Sequence, residues 1–122
     1  MVRTVLVVDD DTATAGLIHE ILELEGYHVV RAVDRESVGV ALVERPHVIL
    51  LDIHMPGMDG PEVARRLRAA AATAHIPIIV MSSILAREGV PPGMPHDDRL
   101  PKPFALDDLV ATVSRWAPRE DG

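Results

Sequence analysis

Five short segments rich in β-branched and aliphatic residues occur along this chain, and segments with helical periodicity separate them. Three of them are continuously apolar and end in polar residues: TVLVVDD, HVILLD and IPIIVMSS. Strands that are apolar at every position are buried on both faces, which is typical of parallel sheets covered by helices. The sequence therefore predicts an α/β fold with a doubly wound, five-stranded parallel sheet and helices on both faces.

The composition favours one domain and argues against several kinds of partner. A chain of 122 residues with 48% hydrophobic residues can form one core, and the single Tyr, Phe and Trp imply that Val, Leu, Ile, Ala and Met fill it. The absence of cysteine excludes disulfides and thiolate metal sites. A net charge of −7 argues against direct nucleic-acid binding, and the apolar run in MVRTVLVVDD is too short for a signal peptide or membrane span. We expect a cytoplasmic domain over residues 1–117 and a polar tail over 118–122.

The first two predicted helices carry recognisable boundary signals. Thr12 is a candidate N-cap of the first helix and Gly26 a candidate terminator. Asp34 is a plausible N-cap of the second helix, and Pro46 stops it.

Polar residues follow the predicted strands where a parallel sheet would bring them together. Asp9 and Asp10 end the first strand, Asp52 ends the third, Ser82 lies at the end of the fourth, and Lys102 follows the fifth. Clustered carboxylates repel one another and need a proton, an ammonium group or a divalent cation nearby. All-oxygen sites suit Mg²⁺, which commonly recruits a phosphate. The pattern indicates metal-assisted phosphoryl chemistry.

Four segments, VLVVDDD, ILLDIHMPGMDG, PIIVMSS and PKPF, resemble in their order and spacing the receiver domain of two-component response regulators, with chemotaxis-regulator-like features. The resemblance covers about residues 3–117. It implies a flavodoxin-like sheet of order 2-1-3-4-5. It also implies phosphorelay signalling with Mg²⁺ or Mn²⁺, a sensor histidine kinase or phosphotransfer protein as donor, and a downstream protein or fused output domain as target. Enzymatic activity would be limited to intrinsic autophosphorylation and autodephosphorylation.

The resemblance also implies a role for each site residue. Asp52 would accept the phosphoryl group as an aspartyl phosphate. Asp9, Asp10 and Asp52 would hold the metal, Asp10 directly and Asp9 often through water, with the backbone carbonyl of His54 as a further ligand. The His54 side chain either tunes hydrolysis of the acyl phosphate or is a bystander. On residues alone, Asp9 and Asp10 could instead be a helix cap or a solvated strand end.

Further roles follow for the switch and for the turns. The Ser82 hydroxyl would bond a phosphoryl oxygen, although a residue there could also simply satisfy backbone groups. Lys102 would pair with Asp52 before phosphorylation and with the phosphoryl group afterwards, and the Lys102–Pro103 bond is usually cis in this family. Asp59 and Gly60 are expected to be structural, with Asp59 bonding backbone N–H groups before the third helix.

Two departures from the family pattern concern how the signal leaves the site. Gly and Pro crowd the segment SILAREGVPPGMPHDDRLP, so the helix between the fourth and fifth strands is expected to be short, about residues 84–88, or replaced by a loop. Arg99 occupies a position where receivers often have Tyr or Phe. An exposed pair with Asp97 or Asp98 is one expectation for it.

These departures keep a second interpretation open: a pseudo-receiver that acts as a constitutive protein-interaction module. A haloacid-type aspartyl-phosphate hydrolase is disfavoured, because His54 stands where that family needs an Asp. A flavodoxin is disfavoured because acids occupy the first loop, where a phosphate cradle needs Ser, Thr or Gly.

Overall fold

The computed structural model describes residues 2–33, 36–53, 59–83 and 88–118. The elements are β1 (Thr4–Val8), α1 (Thr12–Leu24), β2 (His28–Ala32), α2 (Glu36–Glu44), β3 (Val48–Asp52), α3 (Gly60–Ala69), β4 (Ile78–Ser82), β5 (Asp98–Pro101) and α4 (Leu106–Trp116). Strands and helices alternate from β1 to β4 and again from β5 to the last helix, as the apolar periodicity predicts.

The five strands form one parallel sheet in the order β2-β1-β3-β4-β5. The predicted fold class and strand order are confirmed. Since all strands point the same way, their carboxyl ends lie along one edge of the sheet, and residues that follow β1, β3, β4 and β5 meet there.

Each face of the sheet carries its own apolar core because side chains alternate along every strand. On β1, Val5 and Val7 pack under α1 and α4, whereas Leu6 and Val8 face α2 and α3. All four of these side chains are fully buried. The continuous apolar runs in the sequence thus reflect a sheet covered on both faces.

The core is not purely aliphatic, which corrects the expectation from composition. Tyr27, which precedes β2, is 1% exposed. Its hydroxyl donates to the carbonyl oxygen of Ala117 at 2.8 Å and lies 3.2 Å from the Ser114 hydroxyl. A buried tyrosine needs such a partner for its hydroxyl, and the bond fastens the end of α4 to the amino-terminal edge of the sheet.

The boundaries of α1 and α2 partly follow the predicted signals. Asp11, not Thr12, is the N-cap of α1: its carboxylate accepts from the backbone N–H groups of Ala13 and Thr14. Thr12 is the first helical residue. Gly26 follows the helix with a φ of 95°, a left-handed conformation that glycine adopts at little cost.

The helix α2 ends at Glu44, before Pro46, as predicted. Arg45 lies between them with a φ of 49°. The predicted N-cap Asp34 lies outside the described residues.

A loop covers the second core between β4 and β5. Residues 89–97 form neither helix nor strand. Of the short helix predicted over residues 84–88, only Glu88 lies in the described part of the chain, and it is helical. Met94 is 4% exposed and packs into the core with α3 and β4, with Val90 packed partly against it. Apolar loop side chains therefore cover apolar surface at this place in the fold.

Candidate functional site

The carboxyl ends of the strands bring the predicted site residues together. Register pairs Asp52 of β3 with Met81 of β4, and Ser82 with Pro101 of β5, so Ser82 and Lys102 lie at neighbouring strand ends. The backbone N–H of Lys102 donates to the Ser82 carbonyl oxygen at 3.0 Å. The Lys102–Pro103 peptide bond is cis.

The Lys102 ammonium group, from the only lysine in the chain, lies between two buried carboxylates. Its Nζ is 2.7 Å from Asp9 Oδ2 and 3.3 Å from Asp52 Oδ2. The Asp9 side chain is fully buried and that of Asp52 is 6% exposed. The pairing expected with Asp52 is present, but the shorter hydrogen bond goes to Asp9. Lys102 therefore offsets the repulsion between both acids.

The environment of Lys102 raises its pKa above the ordinary lysine value. Burial by itself lowers this pKa, but the hydrogen bond from the ammonium to Asp9 and the charge of Asp52 outweigh burial. The ammonium is therefore held in its charged form through the physiological range.

The stability of the protein should fall at alkaline pH for this reason. A raised pKa in the folded state stabilises fully below the unfolded lysine pKa of about 10.4, and the stabilisation is lost as pH rises through the folded value. Urea unfolding without divalent cations, in steps from about pH 8 to pH 11, should show this decline. The Lys102→Met variant should lack the part of the decline that comes from deprotonation of Lys102. An identical decline in both proteins would contradict the role given to the Lys102 ammonium.

Three carboxylates form a cluster that fits a divalent cation. Asp9, Asp10 and Asp52 each offer one oxygen, and these oxygens all lie within 4.8 Å of one another. Asp10 is exposed while the other two are buried, so the cluster opens to solvent on one side. Hard oxygen ligands with room for water suit Mg²⁺. The predicted ligand His54 lies outside the described residues.

Asp11 takes no part in this cluster because it caps α1. Its Oδ2 accepts from the Thr14 hydroxyl at 2.8 Å, and this bond, with the backbone bonds from Thr14 and Ala13, keeps the pKa of the carboxyl below its usual value. The backbone N–H of Asp11 donates to Asp9 Oδ1 at 2.9 Å. Asp9 is thus held by Asp11 on one oxygen and by Lys102 on the other, a contact that the sequence pattern did not reveal.

Asp59 and Gly60 build the start of α3. Asp59 is the N-cap of α3, and its Oδ1 accepts from the backbone N–H of Glu62 at 3.2 Å. Gly60 packs against Ile53: a Cβ on Gly60 would lie 3.0 Å from the Ile53 Cα and 2.9 Å from its Cγ2. A side chain there would push α3 away from the end of β3.

Gly60→Ala is accordingly expected to lower the free energy of unfolding by about 2 kcal/mol, as overpacked sites do. Gly39→Ala is the matched control, because a Cβ at Gly39 meets no atom of the described ranges within 4 Å and alanine favours a helix interior. Urea unfolding followed by circular dichroism measures both. If the two variants changed stability alike, close packing at Gly60 would not be the cause.

Arg99 does not make the exposed pair considered for it. Asp97 instead accepts from the Arg68 guanidinium at 2.9 Å and from the backbone N–H of Ile78 at 2.8 Å. Asp98 accepts from Arg115 at 3.0 Å and from the Trp116 indole at 2.8 Å. Arg99 is exposed on β5, opposite Val80 in register. Its guanidinium makes no hydrogen bond or ion pair to the residues that the structure describes.

The comparisons with known proteins agree with this geometry. The model of the response regulator receiver domain family matches residues 5–114. The response regulator MprA of Mycolicibacterium vanbaalenii is 41% identical over 114 residues, covering 89% of this chain and 48% of that protein. The phosphate regulon transcriptional regulatory protein PhoB of Pseudomonas aeruginosa is 36% identical over 114 residues, covering 91% of this chain and 50% of that protein. This chain therefore spans about half the length of these curated relatives.

One solved structure of similar fold contains a metal ion. The receiver domain of a sensor histidine kinase of Pseudomonas aeruginosa PAO1, solved with a magnesium ion coordinated in its active-site cleft, superposes with a TM-score of 0.87 at 27% identity, covering 95% of this chain and 98% of the other. No helix in the described ranges is long and apolar enough to cross a membrane. The fold, the clustered acids and these matches show that the chain belongs to the response regulator receiver domain family.

Proposed function

We propose that this receiver domain accepts a phosphoryl group on Asp52 from a sensor histidine kinase or a phosphotransfer protein, in a reaction that depends on Mg²⁺. The observation that carries the proposal is the Lys102 ammonium, 2.7 Å from Asp9 and 3.3 Å from Asp52, beside a carboxylate cluster open to solvent. Asp52 is buried, has a cation beside it and leaves room for a metal. These features favour a role in forming an acyl phosphate over the alternative that the acid merely ends a strand in solvent.

Asp52 would act as the nucleophile. Its carboxylate oxygen forms a bond to phosphorus while the bond between phosphorus and the donor imidazole nitrogen breaks, and the imidazole leaves. Asp9 and Asp10, with the carbonyl of His54, would hold Mg²⁺ or Mn²⁺, which neutralises charge on the transferring oxygens when bound. Asp11 supports this role because its N–H orients Asp9 at 2.9 Å.

Ser82 and Lys102 would report the new charge. Phosphorylation adds up to about two negative charges and three acceptor oxygens at Asp52. The Lys102 ammonium already touches Asp52, and its backbone is bonded to the Ser82 carbonyl, so the two residues can move as one unit. Arg99 lies on β5, the strand next to β4, and residues 89–97 form the loop that leads into β5. A shift of β5 would therefore alter the exposed surface at Arg99 and at this loop.

The remaining assignments concern the setting of the domain. We infer that residues 1–117 form the receiver unit and 118–122 a polar tail, in a cytoplasmic protein whose target is a downstream protein or a fused output domain. The receiver unit itself would contact neither nucleic acid nor membrane. It would act as an acceptor, with intrinsic autophosphorylation and autodephosphorylation as its own chemistry.

Beryllofluoride, which mimics a phosphoryl group on a carboxylate, tests this proposal in the presence of Mg²⁺. Titration followed by amide NMR should shift the Ser82 and Lys102 signals in the native chain and leave them unchanged in Asp52→Asn. Silence of these amides in the native chain would instead support the pseudo-receiver interpretation.

A further inference from the structure

The helix α2 is more apolar than its burial in this chain explains. Six consecutive residues, Val38–Val43, are Gly, Ala, Val or Leu, yet the fully buried residues of the helix are Ser37 and Ala41. Val43 is 80% exposed and Leu42 is 41% exposed. A helix that is apolar on all sides is normally covered on all sides. One face of α2 thus lacks a partner among the described residues.

The exposed side of α2 forms one stripe along the helix. Glu36, Gly39, Val40 and Val43 recur at helical spacing. Glu36, Gly39 and Val43 are exposed, whereas Val40 is half-buried and packs partly against the core beneath α2. We refer to these four residues as the α2 stripe. Val43 is the most exposed large apolar side chain of the described residues, so the stripe ends on a prominent apolar contact point.

Gly39 adds an independent observation at the centre of the stripe. Glycine weakens a helix interior relative to alanine. No described neighbour requires it, because a Cβ at Gly39 would meet no atom of the described residues within 4 Å. A missing side chain does have a purpose where another backbone approaches closely. Gly39, which no contact within the described residues requires, therefore suits close packing of a second helix across α2.

The distribution of charge favours α2 over the other described helices for pairing with another copy. Large apolar side chains are also exposed on α1, at Leu17 and Leu24, and on α4, at Leu106. Acids lie beside both places: Glu20, Glu23 and Glu25 near the first, and Asp107 and Asp108 near the second. Two copies of a chain with a net charge of −7 would repel each other there.

α2 presents both signs of charge at its two ends. Glu36 begins the helix, and Arg45 follows Glu44 directly after its last turn; both Glu36 and Arg45 are exposed. In an antiparallel pairing about a twofold axis, Glu36 of each copy lies near Arg45 of the other, and the helix dipoles oppose. The α2 stripe together with Arg45 is thus complementary to itself in one orientation.

We propose that the α2 stripe is an interface through which two copies of this chain associate as an antiparallel, twofold pair. A contact built on a nine-residue helix is small, which places the pair among weak and transient interfaces. This surface lies on α2, away from Asp52 and Lys102, and the proposal does not depend on phosphorylation.

Sedimentation equilibrium of the unphosphorylated chain over a wide range of concentrations tests the proposal. The native chain should shift from its monomer mass of 13.3 kDa toward twice that value as concentration rises. Val43→Glu should remain monomeric. Leu24→Glu is the matched control, since Leu24 is 77% exposed on α1, and it should associate as the native chain does. A native chain that stays monomeric, or association lost with Leu24→Glu and kept with Val43→Glu, would overturn the proposal.

Two further variants separate association from folding. Gly39→Ala should raise the melting temperature of the monomer while weakening association at least several-fold. Glu36→Arg and Arg45→Glu should each weaken association, and the double variant should recover it, because both reversed charges then face each other across the axis. Single variants that associate as the native chain does, or a double variant weaker than either, would contradict the antiparallel arrangement.

Discussion

Lys102→Met is expected to lower the free energy of unfolding by about 3 kcal/mol at neutral pH without divalent cations, within the range found when one partner of a buried ion pair is removed. The reason is that Asp9 and Asp52, both nearly inaccessible, would face each other without the ammonium that lies 2.7 Å and 3.3 Å from them. Urea unfolding followed by circular dichroism measures the change. Arg99→Met is the matched control: it removes one exposed cation, and its effect should stay within about 0.5 kcal/mol.

Added Mg²⁺ should restore the stability of Lys102→Met, because it supplies the missing positive charge between the acids. The native chain should respond less to Mg²⁺, since Lys102 already offsets the repulsion. If Lys102→Met were as stable as the native chain at neutral pH, Lys102 would not be balancing these two carboxylates.

Asp10→Asn is expected to weaken Mg²⁺ binding by at least about 10-fold, because removing even an indirect partner of a metal site typically costs 10–100-fold. Asp10 is the exposed member of the carboxylate cluster, so its loss should leave the fold intact. Isothermal titration calorimetry at constant ionic strength gives the affinity directly.

Asp11→Asn provides the control for charge alone. Asparagine caps helices as well as aspartate does, and the backbone N–H that orients Asp9 remains. Both substitutions remove one negative charge near the site, but only Asp10 contributes to the metal cluster. An equal loss of affinity in the two variants would mean that the total charge, not ligation by Asp10, sets Mg²⁺ binding.

The sheet could be predicted because its strands are buried on both faces and leave an unmistakable apolar pattern. The convergence of Asp9, Asp52, Ser82 and Lys102 follows from the parallel direction of the strands, which places their carboxyl ends at one edge. The N-cap of α1 was misplaced by one residue, because Asp11 and Thr12 both have side chains that cap helices.

The details that sequence reasoning missed depend on contacts between distant residues. Lys102 Nζ lies closer to Asp9 than to Asp52, at 2.7 Å against 3.3 Å. So small a difference depends on how strands that are far apart in sequence are placed, which no sequence pattern specifies. The expected pairing of Arg99 failed because Asp97 is engaged by Arg68 of α3 and Asp98 by α4. No local pattern around Arg99 reveals those competitors.

The central claim is that Asp52 accepts a phosphoryl group, and intact mass spectrometry tests it most directly. The native chain, incubated with a small-molecule phosphodonor and Mg²⁺, should gain the mass of one phosphoryl group, and this gain should disappear when Mg²⁺ is chelated beforehand. Asp52→Asn should gain nothing under the same conditions. A native chain that gains no mass with a donor that phosphorylates another receiver in parallel, or an Asp52→Asn variant that gains as much as the native chain, would contradict the assignment.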